Sequence, residues 1–105
     1  MKKNKEKVLF SETEKTIIHE IKDERCRQIE KWGYQAHDMY IWLAILSEEV
    51  GELSRAVLDS RWDNGPESDI KKEAIQVAAV AHAILESLVK YGPYGKQKEE
   101  VYNVL

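Results

Sequence analysis

The sequence predicts an all-α protein, a helical bundle of three main helices. Three observations carry this. Apolar residues recur at steps of three and four along three segments, Gly and Pro cluster at the segment boundaries, and nothing alternates with the period of a strand. The breaks fall at Gly33, at Gly65-Pro66, and at Gly92-Pro93 with Gly95.

Ser11-Glu12-Thr13-Glu14 reads as a capping box, so the first helix starts at Ser11 and ends near Gly33. Ile17, Ile18, Ile21, Ile29 and Trp32 mark its apolar side. A polar connection over 34–38 follows. The second helix spans about 39–60, with Trp42, Ile45, Leu46, Leu53, Ala56 and Val57 on one face. Asp63-Asn64-Gly65-Pro66-Glu67 is a loop, and Ser68 or Asp69 is expected to cap the third helix. That helix carries Ile70, Val77, Val80, Ala81, Ile84, Leu85 and Leu88 to about Lys90. Its run Val77-Ala78-Ala79-Val80-Ala81 is apolar nearly all round, which predicts burial on more than one side.

The 105 residues read as one domain, with 1–10 a flexible solvated terminus and 96–105 a tail that docks on the bundle or on a second subunit. So short a chain buries a modest core, and a homodimer or homotetramer is expected to complete it. The net charge of −3 argues against a nucleic-acid binder, whose phosphate contacts demand surplus Lys and Arg. A weakly acidic protein can still hold a polyphosphate through cations. One cysteine, Cys26, allows no internal disulfide; it is expected to be structural and fits a reducing cytoplasm. The five charges within residues 1–10 exclude a signal sequence there, and no stretch is read as approaching the roughly 20 apolar residues that span a bilayer. No membrane partner is expected.

The informative residues are acids on apolar stripes. In Glu48-Glu49-Val50-Gly51-Glu52, Glu49 and Glu52 share a helix face, as do Glu48 and Glu52. Glu49 also lies three residues after Leu46 and four before Leu53, so it projects into the stripe. Glu73 repeats the pattern between Ile70 and Val77. Carboxylates aimed at a core are costly unless paired with a base or bound to a metal. Carboxylate oxygens are the hard ligands that Mg²⁺ prefers, and Mg²⁺ brings phosphates with it. The bland alternative is a solvated acidic face with surface ion pairs such as Glu52–Arg55 or Glu73–Lys72.

ExxE at Glu49–Glu52, followed after 20 residues by Glu73 opening another helix, resembles the metal signature of MazG-like all-α nucleoside triphosphate pyrophosphohydrolases. Glu24-Arg25 with Arg27-Gln28, Lys31-Trp32-Gly33, Gln35 with His37, the 42–46 run and the 73–81 run extend the likeness to about residues 20–90. The resemblance implies Mg²⁺-dependent hydrolysis of a (deoxy)nucleoside triphosphate substrate to monophosphate and pyrophosphate, with Mn²⁺ an alternative cation. It implies Glu49, Glu52, Glu73 and Gln76 as metal ligands, Glu52 as the water-activating base and Glu48 as an auxiliary. The family pattern continues ExxD, whereas this chain has Gln76, a neutral oxygen in place of a charge. That departure keeps open a second reading, a nucleotide- or partner-binding helical module with little turnover; a plain helical scaffold is a third. Gln28, Lys31, Trp32, Gln35 and His37 are candidates for substrate contacts: a cation for phosphates, an indole for stacking, polar groups for a base edge. His82 is expected to pack between helices.

Overall fold

A computed structural model of the chain describes residues 11–94; the expected terminus and the expected docking tail lie outside the described residues. The described chain is three helices, α1 (Glu12–Trp32), α2 (Met39–Trp62) and α3 (Glu67–Tyr91), and contains no strand. The all-α bundle expected from periodicity is what forms.

The ends of the helices follow local chemistry. Ser11 accepts a hydrogen bond from the Glu14 backbone N–H at 3.3 Å, and Asp38 does the same for Ile41 at 3.1 Å, each satisfying an orphan donor of a first turn. Gly33 and Gly92 end α1 and α3 with φ of 72° and 76°, a region where a Cβ is strained. The start of α3 differs from expectation. Pro66, not Ser68 or Asp69, is the N-cap, and no side chain caps it. The ring presets an extended entry, its carbonyl accepts from Asp69 N–H at 3.1 Å, and Glu67 and Asp69 put negative charge on the helix dipole instead.

Helix α3 is central: it packs on both α2 and α1, which scarcely meet each other. The loop 63–66 joins α2 to α3 at one end, and Met39 N–H donates to Pro93 O at 3.0 Å at the other, so the pair runs antiparallel. Trp42, Val80 and Ala83 form the core, with Met39, Ile45, Leu46 and Ile84 packed around them. Small residues Ala79, Ala83 and Ser87 line the buried side of α3 and let its neighbours come close. Across the other interface, Arg25 is buried and its Nη2 donates to Glu86 at 2.6 Å, while Lys71 pairs with Glu20 at 3.0 Å.

Several residues read as core are not. Ile17, Ile18 and Trp32 on α1, Val57 on α2, and Leu85 and Leu88 on α3 are exposed, because α1 and α2 each pack mainly on α3 and every helix keeps a side without a neighbour among the described residues. Cys26 is likewise exposed. By length and composition α3 is apolar enough to cross a membrane, contrary to the sequence reading, because its alanines raise the average around few charges. Its packing between two helices buries only 22% of that apolar stretch.

Candidate metal centre and adjoining cleft

Helical spacing brings Glu49 and Glu52 to one side of α2, and the antiparallel packing of α3 brings Glu73 opposite them. One carboxylate oxygen from each of the three lies within 4.8 Å of the others. Glu49 and Glu73 are half-buried, Glu52 is exposed, and the Oε2 atoms of Glu49 and Glu73 are enclosed with no hydrogen-bond partner. Neither acid takes the basic partner that a surface ion pair requires. Among the described residues Arg55 pairs with Asp59 at 3.9 Å, and Lys72 forms no bridge, although its charge offsets part of the repulsion at Glu73.

The electrostatics follow from this crowding. Burial pushes the Glu49 carboxyl above its ordinary range, reinforced by the charges of Glu52, Glu73 and Glu48. Glu73 rises for the same leading reason, with Glu52 as its main repulsive neighbour. Glu52 lies close enough to share a proton with either, but two carboxyl groups hydrogen-bond only when one of them is protonated. As charged groups they are mutually unsatisfied. A divalent cation could satisfy all of them at once, and an all-oxygen carboxylate set is of the kind that hard cations such as Mg²⁺ or Mn²⁺ take.

Beside the triad lies a cleft of about 630 Å³. Glu49 borders both. The floor is apolar, made by Trp42, Ile45, Val80 and Ala83, and one rim carries Arg27, Lys31 and Trp32 from the end of α1 with Gln35 beyond it. Gln28, Gln76, Glu24 and Glu48 supply the remaining polar wall. Lys31 Nζ lies over one face of the Trp32 ring, 4.7 Å from its centroid, and Trp32 is 57% exposed. Of the sequence candidates, Gln28, Lys31, Trp32 and Gln35 line this cleft. His37 does not; its ring meets that of Trp42 edge-to-face, with centroids 4.9 Å apart. Glu48 stands outside the triad, on the cleft wall. His82 is away from the triad, exposed beside a separate groove between α1 and α3.

Arg27, Glu24 and Trp42 are cleft residues that spacing alone does not single out. The Glu24–Arg27 pair, 2.7 Å apart, is an i,i+3 pair of the kind found on any solvated helix, and Trp42 reads simply as core. Comparison with known protein families, with curated proteins and with solved structures finds no match to this chain.

Proposed function

We propose that the protein is a Mg²⁺- or Mn²⁺-dependent hydrolase that splits a nucleoside triphosphate into monophosphate and pyrophosphate. The observation that carries this reading is the triad: three carboxylates from two helices, two of them with enclosed and unpartnered oxygens, at the edge of a cleft sized for a nucleotide. The donor set fits a hard divalent cation, with Glu49, Glu52 and Glu73 holding it. When bound, that cation neutralises charge on the phosphates during transfer.

The chain's own residues supply the rest. The apolar floor takes a base, Trp32 offers a stacking face, and Arg27 and Lys31 face phosphate oxygens. Glu52, the exposed member of the triad, accepts the proton of the attacking water. The new bond joins water oxygen to the α-phosphorus, and the bond from that phosphorus to the bridging oxygen of pyrophosphate breaks. Glu48, on the cleft wall beside Glu49, would steady this water or a second cation.

One observation favours a second reading, a binding module without turnover: the position three after Glu73 carries the neutral Gln76, so the cluster has three carboxylates and no fourth. Pyrophosphate release from a mixed nucleotide panel, with Mg²⁺ or Mn²⁺ and with chelator, separates the two. Metal-dependent release is the expected result. Thermal stabilisation by nucleotide plus metal without release selects the binding module, and neither response overturns both.

A further inference from the structure

From a hydrogen-bonded chain that crosses from α3 to α1 and back, we infer that Gln76 selects the base: it presents an N–H donor to the cleft and favours bases carrying a carbonyl at the 4- or 6-position (uracil, thymine, guanine) over those with an amino group there. This rests on the nucleotide reading of the cleft.

Each link is dictated by donor and acceptor chemistry. Glu86 holds the buried Arg25 through Nη2 at 2.6 Å, and Arg25 Nη1 donates to Gln28 Oε1 at 2.9 Å. A guanidinium only donates, so the oxygen of Gln28 must face it. The Gln28 amide nitrogen is thereby turned toward Gln76, whose Oε1 faces it across a long 3.5 Å contact. The reverse orientation of Gln76 would set two N–H donors against each other. With its oxygen committed, Gln76 has its Nε2 left over, with no partner among the described residues, on the wall of the cleft whose floor is Trp42, Val80 and Ala83. Gln76 is thus a contact to the base rather than a cation ligand. A paired contact to adenine, which needs both the oxygen and the nitrogen of one amide, is disfavoured because the oxygen is turned away.

UMP and CMP have nearly the same shape and differ at this position, carbonyl against amino, so they are the probes. Calorimetric titration in chelator avoids dependence on the metal centre. The wild type is expected to bind UMP tighter than CMP by about three- to tenfold, the scale of one neutral hydrogen bond. Gln28→Glu leaves residue 76 intact but presents an acceptor to it. Gln76 then turns its N–H inward and its oxygen to the cleft, and the preference reverses to CMP. Gln76→Glu reverses it directly and decides the matter if Gln28→Glu does not fold. Equal affinities in the wild type, no binding of either at millimolar concentration, or a UMP preference that survives in the folded variants would overturn the inference. Pyrophosphate release from triphosphates, read on the same wild-type preparation, shows whether the hydrolase reading falls with it or stands alone.

Discussion

At the scale of single residues, the triad makes a statement about pH. Glu49 and Glu73 have folded-state pKa values raised above the ordinary 4.5, so between that value and the raised ones the folded protein holds more protons than the unfolded. Stability from these groups is therefore greatest below the unfolded value and falls as pH climbs through the folded values. Metal-free protein melted across this window is expected to lose stability with rising pH, and Glu49→Gln to flatten the trend. A saturating divalent cation should reverse it, because ligation favours the charged form. A melting profile in chelator that rises with pH and ignores Glu49→Gln would contradict the buried repulsive cluster. The same substitutions test chemistry: Glu49→Gln and Glu73→Gln are each expected to lower metal-dependent turnover on the order of 100-fold or more, the scale of removing one transition-state stabiliser. Both variants should fold, since each relieves repulsion. Full turnover at saturating Mg²⁺ would remove the residue concerned from the ligand set.

At the scale of the elements, α1 is held differently from α2. The α2–α3 contact is apolar, built on Trp42, whereas α1 meets α3 through a buried ion pair and a few aliphatic side chains. Deleting one partner of such a pair strands the other. Glu86→Leu is expected to cost about 3 kcal/mol, because the enclosed Arg25 keeps its charge without its counterion. Chemical denaturation measures it, and a loss under about 1 kcal/mol would mean the pair does not tether α1. The α2–α3 loop is set by close approach. A Cβ on Gly65 would lie 3.0 Å from Asp59 Cβ and 3.1 Å from the Asp59 backbone carbon, so Gly65→Ala requires the loop and the end of α2 to part by a few tenths of an ångström. Overpacking of that kind costs about 1–3 kcal/mol. A melting temperature equal to the wild type would show that the loop yields freely.

At the scale of the whole molecule, the described chain leaves apolar side chains exposed along α3. Ala74, Ala78, Ala81, Leu85 and Leu88 follow one another by alternate steps of four and three along α3, and Leu85 is 62% exposed. That spacing is the seam along which two helices interlock. Among the described residues the buried hydrophobic core, by contrast, is Trp42, Ala56, Ala79, Val80 and Ala83. We propose that a second copy of the chain, presenting the same seam, completes it in a homodimer or homotetramer. Sedimentation equilibrium is expected to give a dimer or larger for the wild type and a smaller species for Leu85→Glu. A monomeric wild type would exclude this, and partition of the wild type into lipid vesicles would assign the face to a membrane.

The chain alone was enough for whatever depends on neighbours within a few residues. Helix periodicity, the Ser11 cap, the glycine stops and the shared face of Glu49 and Glu52 are local consequences of 3.6 residues per turn and of which side chains can satisfy a helix end. Glu73 was legible as a partner because a short loop forces antiparallel packing. The rest depended on residues far apart in sequence. Exposure of Trp32 and Val57, the ring contact of His37 with Trp42, and the chain from Glu86 through Arg25 and Gln28 to Gln76 are decided only when the three helices pack together. An amide's orientation is decided by what faces it in space, and for Gln76 that group lies 48 positions away.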